Sequence, residues 1–373
     1  MYDVVIVGAG YAGSSLSGQL EKLKDVLVID ERGVGEKSTS ISSFLKILDD
    51  EVVLNEYDEY TIMTVDGESY TYEFDEPVLG LVDYKKLCER AVSHDVHSAR
   101  VEEYGDGYVR LSDGEVIRAK VVVDCTGVYG QKLRARFGLP SPPFRVSLSF
   151  AEIKNGGSGI RSNSLYLIVG HANLGGWIYP VDNTKSEFGF AQGSRKGEAE
   201  FPELRQVAET MGFRMHKDTT IKRSEYAFGF VKQVVRGSVV LFGDSCGLVH
   251  PTYIMGIHYI HRFAPILAEH VAGYLRGEKT SLEKYQRLWR EALKRAADNI
   301  ARGYAIWDLP VDEQIKVTKV QIRAGIKPES ILDHMWAFDE KFQVFAKNPP
   351  KLWDFPLRLY LNYIRYRLSF MFR

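Results

Sequence analysis

Residues 8–13 read GAGYAG, three glycines at GxGxxG spacing. They follow the β-branched run 3–7 (DVVIV) and precede a segment with helical character at 14–24 and a second apolar run at 26–30 (VLVID). Strand, glycines, helix and strand in that order make a βαβ unit, which confines the chain to parallel-sheet folds. Gly8 permits the tight turn, Gly10 lets backbone approach a pyrophosphate, and Gly13 lets helix and strand pack closely. The helix start turns unpaired N–H groups and a positive dipole end toward phosphate. Asp30 ends the second strand 17 residues past Gly13, near the ~20 expected of an acid that accepts hydrogen bonds from ribose. Glu31 takes that part if the register slips by one.

A second strand with glycines lies far downstream. Residues 238–242 (SVVLF) run into Gly243-Asp244-Ser245-Cys246-Gly247, then Pro251, then Met255-Gly256-Ile257 at the start of a helical pattern over 257–275. An aspartate at a strand end accepts hydrogen bonds from a polyol. The next helix start can face a group that gains negative charge, as the ring of a reduced flavin does.

Between these motifs the pattern changes. Residues 51–77 alternate aromatic and acidic positions around Val65-Asp66-Gly67 and predict an antiparallel hairpin. Residues 83–93 read as helix, 107–126 as a hairpin around Asp113-Gly114 followed by a buried strand, 144–195 as strands, and 281–306 as a long helix. One α/β unit is thus assembled from 1–50, 78–143 and 236–280. An antiparallel β unit comes from 51–77 and 144–235, and a helical region fills 281–373.

Composition removes several classes. With 48 Lys+Arg against 49 Asp+Glu, the net charge of −1 leaves no global field for nucleic acid. The three cysteines, Cys88, Cys125 and Cys246, have neither zinc spacing nor the even count of a disulfide scaffold. No metal site is expected. The first residues lack a basic n-region and no run of ~18 apolar residues occurs, so a cytoplasmic protein is expected.

The chain resembles the geranylgeranyl reductase family, within the FAD-dependent flavoproteins that include aromatic hydroxylases and tryptophan halogenases. The resemblance rests on GAGYAG with Asp30, on Val123-Asp124-Cys125-Thr126-Gly127, and on GDSCGLVHPTYIMGIHYI, and it spans residues 1–295. It implies an α/β fold: a discontinuous Rossmann-type FAD-binding domain, an inserted antiparallel β-sheet substrate domain and a helical C-terminal region. It implies FAD held by Ala12 and Asp30 on the ADP side and by Asp244, Gly256 and Ile257 at the ribityl chain and pyrophosphate.

The stretch 176–180 (GWIYP) is similar to the family's prenyl-pocket segment at Trp177, Tyr179, Pro180 and, after a spacer, Gly189. It departs at Gly175, where the family has Tyr, and at Ala191, where it has Gly. On a strand Trp177 and Tyr179 share a face. They make either a wall for a long hydrocarbon or an aromatic pair in a sheet core. Two further departures bear on chemistry. Residues 33–44 hold Ser38, Thr39, Ser40, Ser42 and Ser43 but not the family's cysteine, and Asp83-Tyr84 replaces a common Asp-Arg.

The function expected is hydride transfer from reduced flavin to C=C bonds of an isoprenoid chain, with electrons from an external nicotinamide or a small redox protein. A monooxygenase and a non-redox FAD cyclase or sensor are the alternatives; a halogenase needs a pocket lysine that the sequence does not assign. His250 is the candidate proton donor, or else a turn histidine. His258 and His261 are expected to pack. In 351–373, Leu357, Tyr360, Leu361, Ile364 and Leu368 fall on one face among basic residues. That predicts either contact with a membrane surface or a packing or dimer helix.

Overall fold

The computed structural model describes residues 1–36, 41–155, 159–194, 200–213, 215–250, 252–336, 338 and 350–371. Ser38, Thr39, Ser40, Pro251 and the run Gly156-Gly157-Ser158 lie outside the described residues.

The β-branched runs identified above become the centre of a parallel sheet. Tyr2–Val7 lies between Val26–Asp30 and Val116–Asp124, with Val96–Ser98 and Val239–Leu241 parallel on the outer sides. Register pairs Ile6 with Val28 on one side and with Val123 on the other. These valines and isoleucines are buried, as strands covered on both faces require. The Val116–Asp124 strand changes partner along its length. Its first residues pair antiparallel with Tyr108–Leu111 across the Gly114 turn, and its last ones join the parallel sheet. The hairpin arm and the buried strand read separately at 107–126 are therefore one strand.

The first helix is Tyr11–Gln19, capped by Gly10, so it starts directly off the glycine loop and three residues earlier than its apolar pattern suggested. Asp83 caps Tyr84–Ala91 by accepting from the Lys86 N–H at 3.1 Å. The Ile257–Leu275 helix has the bounds expected from its periodicity. The pattern over 281–306 divides at Ala296 into Ser281–Arg295 and Ala297–Trp307.

The second sheet has seven strands, ordered Lys222–Phe228, Phe144–Lys154, Lys185–Ser194, Ala172–Pro180, Ser164–Gly170, Glu59–Thr64 and Ser69–Glu73. One pair is parallel: Ser164–Gly170 beside Glu59–Thr64. The hairpin around Gly67 thus docks by its own edge onto a sheet otherwise antiparallel. Val53–Tyr57 goes elsewhere, to a three-stranded sheet with Ile41–Phe44 and Leu79–Val82. That small sheet packs against the Pro328–Trp336 helix through Phe44, Leu79 and Met335.

Candidate functional site

The carboxyl ends of the parallel strands converge on a cavity of about 690 Å³ that reaches from the glycine loop to the seven-stranded sheet. Ligands in open α/β sheets sit at such strand ends.

The glycines act by absence of a side chain. Gly8 sits at φ 105°, and a Cβ there would lie 2.6 Å from the Cys125 carbonyl oxygen. A Cβ on Gly13 would lie 1.9 Å from the Gly8 carbonyl oxygen, so strand end and helix start touch backbone to backbone. The GD turn closes on the same place: a Cβ on Gly243 would lie 2.4 Å from the Ala12 Cβ. Asp244 stands between the Gly127 turn and Gly256, whose Cβ positions would be 3.5 Å from its Cβ and 3.7 Å from its Oδ1. Gly256 caps the 19-residue helix that begins at Ile257. Gly8, Gly10, Ala12, Asp30, Glu31, Asp244, Gly256 and Ile257 all line the one cavity, and Gly13 lies just behind it. A cleft with bare backbone, an acid at a strand end and two helix starts fits a dinucleotide carrying an anion-forming ring.

Asp30 does more than the ribose role read from its position. Its carboxylate accepts from the Ala9 N–H at 2.8 Å, the Arg32 N–H at 2.8 Å and the Gly33 N–H at 3.2 Å. It therefore also ties the glycine loop to the second strand, with about one of its four acceptor sites left for a sugar hydroxyl. Glu31 is half exposed and lies 4.0 Å from Arg100.

Tyr84, at the position of a common arginine, turns its hydroxyl into the glycine loop, where it accepts from the Tyr11 N–H at 2.8 Å. A neutral oxygen thus holds the first N–H of the helix, and burial pushes the phenol well up from its ordinary value.

A network centred on the buried Asp124 and Arg134 fixes the middle segment. Asp124 accepts from Tyr104 Oη, Thr126 N and Oγ1, Ser245 Oγ and Arg134 Nη1. Arg134 Nη2 donates to the Gly127 carbonyl at 2.7 Å, and Ser245 Oγ accepts from the Gly127 N–H at 2.9 Å. The aspartate of the VDCTG run thereby locks the third strand end to the GDSCG turn. The sequence shows Asp124 beside a small-residue turn, but Arg134 and Tyr104 carry no local signal.

Beyond the GD turn the seven-stranded sheet forms the wall, where apolar side chains stand beside Ser224, Glu225 and Tyr226 of its edge strand. Leu148, Leu167, Leu174 and Ala191 from the seven-stranded sheet line it with Trp177 and Tyr179, whose ring centroids are 6.0 Å apart. The indole N–H of Trp177 donates to Glu187 at 3.0 Å. Gly189 makes room for that indole, because a Cβ there would lie 2.3 Å from it. Gly175 has φ 72° and faces the Ile168 carbonyl, a conformation that excludes the tyrosine other sequences have there. Burial pushes the Tyr179 phenol up to about 12.

Pro180 is not on this wall. It is buried at the strand end, and its carbonyl accepts from Tyr57 Oη at 2.7 Å and Asn55 Nδ2 at 2.9 Å. His250 also lies outside the cavity. Its Nδ1 accepts from the Thr252 and Tyr253 N–H groups, so its Nε2 carries the proton and donates to the His334 carbonyl at 2.8 Å. Burial pushes its pKa down to about 4. With both nitrogens committed and the ring neutral, it has no proton to give; it folds the turn before the Ile257 helix.

His258 is likewise buried, with its ring between Phe44, Tyr259 and Trp336. The three cysteines are buried and form no disulfide. Among the described residues no group of His, Cys, Asp and Glu stands close enough to hold a metal ion, and no helix is long and apolar enough to cross a membrane.

Residues missed from the sequence include Leu148, Leu167 and Leu174, which look like ordinary strand residues, and the pair Arg32 and Tyr129. The Arg32 guanidinium lies 4.5 Å over the Tyr129 ring at the mouth beside Asp30. Tyr129 is 59% exposed.

Comparison with known proteins agrees with this geometry. The tryptophan halogenase family model matches residues 63–308. A digeranylgeranylglycerophospholipid reductase of Sulfolobus acidocaldarius is 30% identical over 165 residues, 36% of each chain. The chain thus aligns with about a third of the length of that curated relative. A geranylgeranyl bacteriochlorophyll reductase-like protein of Thermoplasma acidophilum superposes with TM-score 0.71 at 17% identity, covering 90% of this chain and 96% of that one. The p-nitrophenol 4-monooxygenase of Pseudomonas putida superposes with TM-score 0.67 at 15% identity, with coverage of 90% and 96%. The last two share the fold.

Proposed function

Because the chain belongs to the tryptophan halogenase family of FAD-dependent oxidoreductases, we propose that it saturates C=C bonds in the polyprenyl chain of a lipid. The observation that carries this reading is the chemistry of the cavity's inner arm. Leu148, Leu167, Leu174, Ala191, Trp177 and Tyr179 give it an apolar and aromatic face, with Ser224 and Glu225 on the adjoining edge strand. Among the described lining residues the one lysine is Lys132, which starts beside the Thr126–Gly127 turn, away from that arm. The Sulfolobus relative is by its name a reductase of a geranylgeranyl lipid.

Bound FAD supplies the two-electron reducing power. The chain's residues divide the rest of the work. The loop of Gly8, Gly10, Ala12 and Gly13 would take the pyrophosphate, Asp30 the adenosine ribose and Asp244 the ribityl chain. The helix start at Gly256 and Ile257 would offer its positive dipole end to negative charge on the cofactor, lowering its energy. Trp177 and Tyr179 would hold the flexible chain and exclude water, so that the entropy of alignment is lost on binding rather than in the reaction. The proton for the second alkene carbon comes from water, directly or through a wall hydroxyl. Burial raises the Tyr179 phenol to about 12, which makes it a weaker acid, so a wall hydroxyl would relay a proton from water rather than supply one; the Tyr253 hydroxyl, also on the wall, lies 3.3 Å from His334 Nδ1. No second nucleotide-binding GxGxxG follows a strand, which leaves the electron donor as a diffusing nicotinamide or a small redox protein.

The test is anaerobic. Holoprotein reduced chemically is mixed with a geranylgeranyl-chain lipid, and flavin absorbance and lipid mass are followed. Reoxidation without oxygen, with hydrogenated lipid as product, supports the reading. Reoxidation only on admission of oxygen, with an oxygenated product, gives the site to a monooxygenase.

A further inference from the structure

Five of the large apolar side chains exposed among the described residues lie on one short stretch. Trp353, Leu357, Leu361, Ile364 and Leu368 are between 47% and 77% exposed. The last four belong to the Leu357–Met371 helix. At 3.6 residues per turn they fall within roughly 60° of one another, a single continuous row. Scattered exposed leucines are ordinary, but a contiguous row marks a contact surface.

The row is not left over from a loosely held helix. The opposite face is docked on the Ala297–Trp307 helix. Tyr363 Oη donates to Asp298 at 3.0 Å, Arg367 pairs with Asp298 at 2.5 Å, and Tyr366 Oη donates to Asp308. Tyr366 and Phe370 pack their rings against Tyr304. Intramolecular packing is satisfied by these aromatics, and the aliphatic row faces outward.

One border is basic. Arg358 and Arg365 each stand one residue past a member of the row, on the same side of it, and Arg358 also lies 3.8 Å from Glu313. Lys351 lies 5.4 Å over the exposed Trp353 ring. A second copy of the chain would present the same basic border. An anionic lipid surface instead accepts the apolar row into its acyl boundary, the tryptophan at headgroup level and the cations on its phosphates.

We propose that Trp353 and the Leu357–Met371 helix form a membrane-contact face that seats the protein on anionic bilayers. The inference is independent of the substrate assigned above, since it rests on no residue of the cavity.

Flotation of the FAD-loaded protein with vesicles tests it. Full-length protein should float with vesicles of equal parts phosphatidylcholine and phosphatidylglycerol, and much less with phosphatidylcholine alone. The double variant Leu361→Glu, Ile364→Glu should lose at least tenfold in partitioning, and Arg365→Gln about fivefold. Both changes lie on exposed positions, and an unchanged flavin spectrum shows that the variants fold. The proposal is overturned if the unmodified protein floats with neither vesicle, or if the double variant floats as well as it does. A dimer in solution that the double variant dissociates, without flotation, gives the face to a second copy and also overturns it.

Discussion

Arg134 Nη1 lies 3.1 Å from Asp124 Oδ2 with neither side chain exposed at all. The pair holds Gly127 and Ser245, and through them the Thr126–Gly127 turn and the GD turn, whose Gly127 and Asp244 line the cavity. Removing one partner leaves an uncompensated charge in the interior. Arg134→Met should therefore destabilise the fold by about 3–5 kcal/mol, seen as a lower denaturant midpoint. Adding Asp124→Asn to Arg134→Met should recover part of that loss, because the stranded charge is gone. Recovery of nothing would mean that the pair matters for shape alone.

A second prediction concerns pH. His250 is neutral in the fold with its pKa near 4, whereas an unfolded histidine titrates near ~6.5. Between these values the unfolded chain binds a proton that the native chain refuses. The contribution of His250 is therefore fully present above about pH 6.5 and is lost as pH falls toward 4. The loss approaches about 3 kcal/mol for this residue. Burial holds His258 and His334 down as well, so they add in the same direction. Denaturant midpoints measured from pH 7 to pH 4 should fall less steeply for His250→Gln than for the unmodified protein. Parallel slopes would contradict the buried, neutral assignment.

Much of this site is legible along the chain because its main devices are local. Gly8, Gly10 and Gly13 are read from spacing within one turn, and Gly256 with Ile257 from a helix start. What escapes is long-range or depends on solvent exclusion. The sequence leaves His250 as either a proton donor or a turn histidine bonded to backbone; it hides that one of those backbone partners stands 84 residues away. Pro180 belongs to a motif by position, but strand register turns its carbonyl to Tyr57 and keeps the ring off the wall. Leu148, Leu167 and Leu174 come from three strands whose pairing only the folded sheet reveals. The tail shows the same limit: its amphipathic period is visible, but Tyr360 does not share the exposure of Leu357 and Leu361, because docking on the preceding helix decides which face remains outside.

A third prediction follows from Arg32 and Tyr129. Guanidinium over an exposed phenol, next to the acid proposed for the ribose, makes a stacking platform at the place an adenine would then occupy. Base–aromatic stacking is worth ~1–3 kcal/mol by alanine substitution. Tyr129→Ala should weaken FAD binding by roughly 5- to 150-fold and leave FMN binding unchanged, since FMN carries no adenine. Fluorescence titration of apoprotein with each flavin checks this. Equal losses for both flavins would place Tyr129 in general folding instead.

The last prediction separates the two arms of the cavity. Gly189 has no structural need for a left-handed backbone; its constraint is the Trp177 indole, which a Cβ would approach at 2.3 Å. The neighbouring Phe150 would approach at 2.8 Å. Gly189→Ala must therefore push the indole off Glu187 and into the space lined by Leu167 and Tyr179. Overpacking of this kind costs about 1–3 kcal/mol, and here the strain falls on the substrate wall rather than on the glycine loop. FAD content should stay at the unmodified level while KM for the prenyl substrate rises and tryptophan fluorescence shifts. A variant that instead loses flavin would show that the two arms are mechanically coupled through the strand carrying Trp177.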